Sequence, residues 1–557
     1  MEDGVLLRLV DKSHCTADCC VKLLLLVQER GRRGLRQLTG CWQWLRANPL
    51  LAVLFAMGVL VRVFAWGSVP PGLNQDEASI GYDAYALLHY GIDRNGSFLP
   101  MHLVAWGSGQ NALYAYFSMP FIYLFGLDEV SIRIVSLIFG LLGMCAVYWL
   151  AKEIFGEGNG AVLGAFLIVI CPWHIMMSRW ALESNLFPTL VLLAIVCLLQ
   201  ALKRGGIGWW AGFSILISLS MYAYGTSYFF VPVFLLGSAL YLGATRVVKL
   251  RVLLTQCGAI LILTLPILLF LWINRAGRAA IDLGLMTIPR LTVPRVEQVS
   301  SLFGSDAFHR AGANLQQFLD IYVTGHDGLL WNAIPAFGYL YPISLPFIVI
   351  GIGYMGKLAL KDRNVSAALI MLMFITALMM TLVTDTNMNR INIIFYPTVL
   401  LAASGLFWTW KNVKGAAYGA IAAFCLFFAA FSVNYFKEYP DRISPMFYES
   451  LGDSIRYASQ ATEGKIYVTD KVNMPYIFVL FYEQFDPHEF QATVKYKHED
   501  APFRQVESFG RYAFEQVPEL RPNEAAAYIL YNSDAMQQVP EGYAIRRFNH
   551  FTVISKQ

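Results

Sequence analysis

The sequence predicts a polytopic α-helical membrane protein with about eleven transmembrane helices, interfacial helices in its first external loop and a small external α/β domain at its C-terminus. Of the 557 residues, 57% are hydrophobic and only 14% are charged, whereas a soluble domain carries about 25% charged residues. The apolar residues fall in long runs, and the basic residues fall in short loops between them. The formal net charge of +4 is small for this length, which argues against a nucleic-acid-binding protein.

Apolar runs close to the length that crosses a bilayer, about 20 residues, supply the predicted spans. They lie at 49–67, 130–151, 160–176, 186–202, 207–223, 228–243, 252–273, 341–358, 365–384, 391–410 and 414–434. One further run, 111–126, is short, contains a proline and is rich in Tyr and Phe. That composition favours an interfacial helix over a span.

The basic residues in the loops predict which side of the membrane each loop faces and whether the number of spans is odd or even. If 111–126 does not cross, all short basic loops fall on the cytosolic side together with the basic N-terminal segment. If it does cross, every later basic loop is placed outside. We therefore expect eleven spans, a cytosolic N-terminus and an external C-terminus. The basic residues are Arg30, Arg32, Arg33, Arg36, Lys152, Lys203, Arg204, Arg246, Lys249, Arg251, Lys357, Lys361, Arg363, Lys411 and Lys414.

These spans divide the chain into three parts. Residues 1–48 are expected to form a cytosolic segment, in which Cys15, Cys19 and Cys20 are read as free thiols because no second Cys/His pair follows at zinc-finger spacing. Residues 49–435 form the membrane domain, with external loops at 68–129 and 274–340. Residues 436–557 form an external α/β domain, with a helical pattern near 445–460 and the strand-like runs KIYV, AAYILY and FTVIS.

The first external loop contains an acidic pair at a predicted helix start. Asn74 is a good N-cap and Glu77 stands at the third helical position, as in a capping box. Residues 75–90 then predict an amphipathic helix on the outer surface, with Asp76 in its first turn and Tyr82 further along. A first-turn carboxylate is stabilised by the helix dipole, so Asp76 fits a structural role and a general-base role equally well.

The second external loop offers a further acid. Arg179 and Glu183 are spaced i, i+4, as in a helical salt bridge. Alternatively, Glu183 faces Asp76 across one cavity, where two carboxylates could position an acceptor or hold a divalent metal ion. A metal usually needs a third protein ligand, and these two loops contain no DxD or HxxH motif.

Two other loops combine aromatic and polar residues. Tyr224 lies in a tyrosine-rich junction, where an aromatic belt at the membrane surface is the ordinary explanation. The long external loop ends with His326, Asp327 and Trp331, and a Trp beside polar groups suits the face of a sugar. Such clusters also occur in ordinary loops, so both interpretations stand.

The last external segment places a cation at headgroup depth. Arg390 lies beside Asn387 at the outer end of a span. A snorkelling arginine is one explanation, and a ligand for a lipid phosphate is the other, because the guanidinium pairs with phosphate oxygens bidentately. Arg62, in the outer third of the first span, is a second candidate, since an intramembrane charge is functional by default.

Together these motifs resemble the GT-C superfamily of membrane glycosyltransferases, specifically glycosyltransferase family 39, which includes protein O-mannosyltransferases and bacterial lipid A aminoarabinose transferases. The resemblance covers roughly residues 49–435, and the runs NAIPAFG and PYIFVLFY are similar to bacterial members. It depends on the order of these features: Asp76–Glu77 followed by Gly91, Leu124-Phe125-Gly126 followed by Arg133, Arg179 with an acid at 183, and Arg390 followed by Pro397.

The resemblance implies transfer of a sugar from a polyprenyl-phosphate carrier to an acceptor on the outer face of the plasma membrane, with inversion. The acceptor could be a protein, a lipid or a glycan. Asp76, with Glu77 and Glu183, would form the catalytic group, and Arg390 and Arg62 would bind the donor phosphate. Family members often have Asp at position 183, so the Glu found here weakens that assignment. The remaining candidates for substrate binding are Tyr82, Arg179, Tyr224, His326, Asp327, Trp331 and Asn387.

The main alternative is a transporter or flippase of lipid-linked sugars, which also needs a polar cavity and outward arginines. Transporters often show inverted repeats and charges near the midplane. In this sequence the charges gather at the outer ends of spans, and no repeat is visible. A non-catalytic scaffold is the third interpretation.

Overall fold

The computed structural model describes residues 46–293, 307–498, 501, 503–516, 520, 526–535, 539 and 541–556. The predictions for the N-terminal basic segment and for Cys15, Cys19 and Cys20 lie outside these residues. The chain divides into two compact units, Met1–Met57 and Gly58–Gln557. The first described helix begins in the former unit and ends in the latter.

Helices dominate the described residues, and they are numbered here in chain order. They are α1 Pro49–Val63, α2 Gln75–Tyr90, α3 Leu113–Phe125, α4 Glu129–Phe155, α5 Asn159–Ile170, α6 Pro172–Met177, α7 Leu186–Arg204, α8 Ile207–Ala223, α9 Ser227–Ala244, α10 Leu250–Ala276, α11 Ala307–Thr324, α12 Ser344–Leu360, α13 Val365–Val383, α14 Met388–Ile391, α15 Phe395–Asn412, α16 Lys414–Val433, α17 Tyr439–Ile443, α18 Leu451–Ala461, α19 Pro475–Glu483 and α20 Pro487–Thr493.

Seven helical stretches are long and apolar enough to cross a membrane by length and composition: Glu129–Phe155, Glu183–Arg204, Ser227–Ala244, Leu250–Ala276, Val365–Val383, Met388–Asn412 and Lys414–Phe447. Four further predicted spans coincide with the shorter apolar helices α1, α5, α8 and α12. The run at 111–126 forms α3, which has only 13 residues. The prediction of a polytopic helical membrane protein is confirmed.

Two short glycine contacts bring α12 and α15 together. A Cβ built on Gly351 would stand 1.8 Å from Leu401 O, and one on Gly405 would stand 1.9 Å from Phe347 O. Only glycine allows the two backbones to come this close, as at other helix crossings in membranes. This contact fixes α15, the helix that follows Arg390 in the chain.

The C-terminal α/β domain contains a seven-stranded mixed sheet, as the strand-like runs predicted. Its order is β10-β11-β9-β5-β8-β7-β6, with β5 parallel to both β8 and β9 and the other pairs antiparallel. Two-residue pairs β1–β2 and β3–β4 lie outside this sheet. The strands are β1 His102–Leu103, β2 Gln110–Asn111, β3 Ile281–Asp282, β4 Thr287–Ile288, β5 Lys465–Val468, β6 Lys495–Tyr496, β7 Val506–Phe509, β8 Tyr512–Phe514, β9 Ala526–Tyr531, β10 Tyr543–Arg547 and β11 Phe551–Lys556.

The helix predicted near 445–460 begins later, at Leu451. Tyr448 and Ser450 have φ values of 47° and 65°. This left-handed backbone ends the preceding turn and cannot continue a right-handed helix. Residues before 451 therefore form a separate turn, Ser444–Phe447.

Helix α2 forms where the sequence predicted it, but its placement on the outer surface was wrong. Ten of its residues are buried, because it packs against α3 and also under α19 of the C-terminal domain. The run PYIFVLFY, which forms most of α19, supplies the apolar cover. The helix at the start of the candidate site is therefore part of a buried layer.

Candidate active site

The capping box at the start of α2 is present, and Glu77 is its centre. Glu77 Oε2 accepts the backbone N–H of Asn74 (3.2 Å). Arg133 binds both carboxylate oxygens, Nε to Oε1 at 2.7 Å and Nη2 to Oε2 at 2.8 Å. Ala181 N–H also donates to Oε1 at 2.7 Å. Glu77 and Arg133 are fully buried, so the geometry supports a scaffolding role for Glu77 rather than the catalytic one expected from sequence.

Asp76, the neighbouring acid, has a different environment. Its backbone N–H donates to the Asn74 side chain at 3.0 Å, and its residue surface is partly exposed, in contrast to that of Glu77. Of the predicted acidic pair, only Asp76 therefore reaches accessible surface. Its place in the first turn of α2 stabilises the carboxylate form, which is the form a general base requires.

Arg179 does not form the helical salt bridge expected from its spacing to Glu183, because residues 178–182 between them are not helical. Its guanidinium instead donates to the carbonyls that end α1 and to the loop that follows. The acceptors are Val61 O (3.2 Å), Arg62 O (2.9 Å), Ala65 O (3.0 Å) and Val69 O (3.1 and 3.2 Å). A cation at a helix C-terminus satisfies these free carbonyls. The buried Arg179 is thus a helix cap, and its predicted substrate contact is not supported by this geometry.

Glu183 begins a short 3-10 turn, Glu183–Asn185, at the start of α7. Its Oε2 accepts the backbone N–H of Asn111 at 3.0 Å. The Asn111 side chain in turn donates to the Tyr228 hydroxyl at 3.1 Å. Asn111 was not predicted from sequence, because it lies on a two-residue strand. Tyr228 belongs to the same tyrosine-rich junction as Tyr224. Glu183 itself is only partly buried.

Arg390 lies on the four-residue helix α14, which two side chains hold in place. Asn387 is its N-cap and accepts the backbone N–H of Arg390 at 2.9 Å. Asp327 Oδ2 accepts Met388 N–H at 2.9 Å and the Asn332 side chain at 2.8 Å. Both predicted residues, Asn387 and Asp327, therefore bind the backbone of α14 and position Arg390.

One hydrogen bond joins the two turns that carry these candidates. Asn392 Nδ2 donates to Ser184 O at 2.7 Å, and α14 contacts the turn Glu183–Asn185. Glu77 also accepts the backbone N–H of Ala181, two residues before Glu183. The start of α2 is therefore joined to the same pair of turns. The structure thus brings together the segments of Asp76, Glu183 and Arg390.

A second arginine, not predicted from sequence, stands beside Arg390. Asp385 Oδ2 lies 3.7 Å from Arg390 Nη1, and Asp385 Oδ1 lies 3.7 Å from Arg310 Nη2 on α11. Arg390 also donates to Asp385 O at 3.1 Å. All three side chains keep solvent access, with Asp385 half exposed. The sequence signal that could have found Arg310 is the amphipathic pattern of α11, which carries four exposed apolar residues: Phe308, Leu315, Leu319 and Val323.

Arg62 is not available to a lipid phosphate. It is completely buried and donates to Gly58 O (2.9 Å), Ile168 O (3.1 Å) and Val169 O (3.3 Å). Its Nη2 lies 2.6 Å from His174 Nδ1. Both Nη groups are taken up by backbone carbonyls of α1 and α5 and by one imidazole, so this geometry does not support the predicted phosphate contact.

The remaining predicted residues are spread out. The Tyr82 hydroxyl donates to Phe485 O at 2.8 Å and so joins α2 to the C-terminal domain. Tyr224 is partly exposed at the end of α8, and His326 and Trp331 are partly exposed in the loop before α12. Of these four, His326 and Trp331 are nearest in the chain to Asp327 and hence to the Arg390 segment.

A metal ion on Asp76 and Glu183 finds little support. Among the residues that the structure describes, no group of three or more His, Cys, Asp or Glu side chains could hold one. A divalent cation in proteins usually takes several carboxylate or imidazole ligands. We therefore derive no step through a metal.

The first external loop also contains a buried charged cluster, which is connected to Gln110, next to Asn111. Asp83 and Arg94 are buried with 3.7 Å between Oδ2 and Nη1. Arg94 Nη2 donates to Ser79 Oγ (2.9 Å), which donates to Gln110 Oε1 (2.8 Å), one residue from Asn111. Burial, and after it the charge of Asp83, raises the pKa of the nearby Asp93 to about 7. The pKa of Asp83 is also raised, by burial.

Comparison with known proteins agrees with this architecture. Residues 111–272, less than a third of the chain, match the family model of dolichyl-phosphate-mannose-protein mannosyltransferases. ArnT from Cupriavidus metallidurans is similar in structure at a TM-score of 0.52 and 14% identity, over 92% of this chain and 98% of that one. Among curated proteins, none matches the sequence.

A weaker similarity extends to the Archaeoglobus fulgidus oligosaccharyltransferase, with a TM-score of 0.47 and 14% identity. It covers 78% of this chain, which spans only 63% of the length of that protein. The similarity to ArnT shows the fold of this chain, and the family match over residues 111–272 agrees with it. The resemblance drawn from the order of sequence motifs is thereby confirmed.

Proposed function

We propose that this protein transfers a sugar from a polyprenyl-phosphate-linked donor to an acceptor hydroxyl at the extracytoplasmic face, with inversion at the anomeric carbon. One observation carries the proposal. The Asn392–Ser184 hydrogen bond joins the Glu183 turn to the Arg390 turn, and the Glu77–Ala181 bond joins the Asp76 helix to the same segment. The proposed base and the proposed phosphate-binding cation thus lie on connected segments of a GT-C fold.

Asp76 acts as the general base. Its carboxylate takes the proton of the acceptor hydroxyl, and the oxygen attacks the anomeric carbon from the side opposite the phosphate. The bond between that carbon and the phosphate oxygen breaks, its electron pair stays on the oxygen, and the lipid phosphate leaves. Positioned proton transfer of this kind contributes about 10²- to 10⁴-fold in rate. Glu183, held by Asn111, borders the acceptor position.

Arg390 and Arg310 bind the donor phosphate. Each lies 3.7 Å from Asp385, which is too long for a good charge-assisted hydrogen bond, about 2.7–2.9 Å. Their pairing with Asp385 is therefore loose, and a phosphate can replace that carboxylate between the two guanidinium groups. Charge on the leaving phosphate grows as the bond breaks, so preorganised cations lower the barrier.

Helix α11, which carries Arg310, also has an exposed apolar side. Phe308, Leu315 and Leu319 would contact the polyprenyl chain of a donor that enters from the lipid. The acceptor arrives from water and is a protein, a lipid or a glycan. The plasma membrane is the proposed location, with a cytosolic N-terminus and an extracytoplasmic C-terminal domain. A reporter fused after residue 557 tests this orientation, because a cytosolic signal would contradict it.

The test of function uses purified protein in lipid vesicles with radiolabelled polyprenyl-phosphate sugars and candidate acceptors. Asp76→Asn should abolish transfer while the protein inserts and folds normally. Asp453→Asn is the matched control, since Asp453 also lies in the first turn of a helix but far along the chain in the C-terminal domain. Full transfer by Asp76→Asn would overturn the base assignment. Movement of the labelled lipid across the bilayer without transfer would favour a flippase.

A further inference from the structure

A small buried cavity lies between the turn that carries Glu183 and the turn that follows Arg390. Its volume is about 20 Å³, and a cavity of about 10–15 Å³ on this measure already holds one water molecule. Its wall includes Trp173, Asn185, Thr189 and Asn392. Three of these residues lie between positions 173 and 189, and Asn392 comes from a distant part of the chain.

Three polar atoms in this wall have no hydrogen-bond partner within the described part of the chain: Trp173 Nε1, Asn185 Oδ1 and Asn392 Oδ1. Trp173 and Asn392 are almost completely buried. Leaving such groups unpaired is destabilising, so buried polar atoms almost always find a protein or water partner.

The amide orientations are fixed by other bonds, so the two free oxygens do not result from a wrong choice between O and N. Asn392 Nδ2 donates to Ser184 O (2.7 Å). Asn185 Nδ2 donates to Met177 O (2.9 Å) and Trp180 O (3.2 Å). Rotating either amide would place its oxygen against a carbonyl oxygen.

Thr189 is the second hydrogen-bond donor in the cavity wall, and it ends a chain of hydrogen bonds that begins at Arg62. Arg62 can only donate, so His174 Nδ1 accepts (2.6 Å) and the imidazole proton is on Nε2. His174 Nε2 then donates to the Tyr396 hydroxyl (3.1 Å). We assign Tyr396 as the donor to Thr189 Oγ1 (2.8 Å), because the Tyr396 oxygen already accepts from His174. The Thr189 hydroxyl proton remains, and Thr189 lines the cavity.

We propose that one ordered water molecule occupies this cavity and ties the Glu183 and Arg390 turns together. It would accept hydrogen bonds from Trp173 Nε1–H and Thr189 Oγ1–H and donate to Asn185 Oδ1 and Asn392 Oδ1. These two donors and two acceptors match the four hydrogen bonds of water. A cation is excluded because the two donors would repel it.

This water gives Asn185 and Asn392 a positioning role. Asn392 stands two residues after Arg390, and Asn185 stands two residues after Glu183. The direct Asn392–Ser184 bond joins the two turns on one side, and the water joins them on the other. The effect on activity rests on the proposed function, whereas the water site does not.

The direct test is a density map of the whole protein at about 2 Å resolution. It should show a peak within hydrogen-bond distance of the four atoms named above. Trp173→Phe and Thr189→Val each remove one donor and keep the shape, so each should weaken or abolish the peak. Trp180→Phe is the matched control, because Trp180 Nε1 also lacks a partner within the described residues but Trp180 does not line the cavity. An empty cavity in the wild type, or a peak unchanged in Trp173→Phe and Thr189→Val, would overturn the proposal.

Activity provides a separate readout. If transfer from the polyprenyl-phosphate donor is measurable, Thr189→Val should raise the donor KM by ~3- to 10-fold, the equivalent of one lost hydrogen bond, with little change in kcat. A clear peak in the map together with no transfer in any variant, wild type included, would contradict the proposed function and leave the water site standing. A reduced kcat at unchanged donor KM would overturn the positioning role.

Discussion

Two clusters, each of paired acidic and basic side chains, lie near the same end of the membrane helices. They differ in burial and in the length of their contacts. In the first, Glu77 and Arg133 are fully buried, with contacts of 2.7 and 2.8 Å. In the second, Asp385 holds Arg390 and Arg310 at 3.7 Å, and all three keep solvent access. In the first cluster both carboxylate oxygens are bonded, whereas the pairs of the second are longer and open to solvent. We propose that burial and contact length separate the charges that hold the fold from those that bind the donor phosphate.

The largest expected effect comes from breaking the buried cluster. Arg133→Leu leaves Glu77 charged and without its main partner, so the free energy of unfolding should fall by about 3–5 kcal/mol. Thermal unfolding in detergent and the yield of folded protein measure this. Arg456→Gln is the control, since its pair with Asp453 is more than half exposed and is worth about 1 kcal/mol or less. Equal losses in both variants would remove the distinction between the clusters.

The next effect concerns the buried acid Asp93, whose pKa is raised to about 7 from an ordinary value of about 3.9. The folded protein then binds this proton more tightly than the unfolded chain. Stability should therefore fall as pH rises from about 4 to about 7 and level off above that. The contribution is at most about 4 kcal/mol.

Asp93→Asn tests this pH dependence. The amide oxygen can still accept the N–H groups of Asn95 and Ser97, which Asp93 Oδ1 accepts at 2.9 and 2.8 Å. The variant should be more stable than the wild type at pH 8 and should lose most of the slope between pH 4 and 7. Melting temperatures across that range measure it. An unchanged slope would show that Asp93 is not the titrating group.

The accessible cluster gives a smaller effect, which appears in donor binding. Arg390→Ala should weaken the binding of polyprenyl phosphate by about 10- to 100-fold, the usual loss for a hydrogen bond to a charged group. Acceptor KM should stay nearly unchanged, and Arg442→Ala, an exposed arginine elsewhere, serves as control. If donor and acceptor constants change equally, Arg390 does not act on the phosphate.

The smallest expected effect is a gain. Asp385→Asn removes the carboxylate that competes with the phosphate for Arg390 and Arg310, so the same lipid should bind a few-fold more tightly, in the range of an exposed ion pair. Titration of polyprenyl phosphate at low and moderate salt measures the change. Weaker binding would mean that Asp385 organises the arginines and does not compete for them.

Features that depend on neighbouring residues could be predicted from the sequence. The apolar runs gave the membrane helices, and Asn74 with Glu77 gave the start of α2. The runs KIYV and AAYILY gave two adjacent strands of the C-terminal sheet. Each of these signals lies within one element, where hydropathy and capping act over a few residues.

Features that depend on distant partners could not be predicted. Glu77 binds Arg133, 56 residues away, so nothing local distinguishes it from Asp76. Arg62 looked like a site residue because an intramembrane charge is unusual, and Arg179 because of its place in the family motif. The backbone carbonyls that bind them include distant ones in the chain, which no local pattern indicates. Helix α2 looked like a surface helix because α19, which covers it, follows almost 400 residues later. Arg310 shares no motif with Arg390, and both pair with Asp385.

The central claim is that accessible charges work on substrate and buried ones hold the fold, and the adjacent acids Asp76 and Glu77 test it most directly. The measurement is the ratio of transfer rate to folded protein for Asp76→Asn and Glu77→Gln in one assay. We predict that Asp76→Asn keeps the melting temperature of the wild type and loses transfer, while Glu77→Gln melts at a clearly lower temperature and its remaining folded fraction still transfers sugar. A stable, inactive Glu77→Gln beside an active Asp76→Asn would contradict this account.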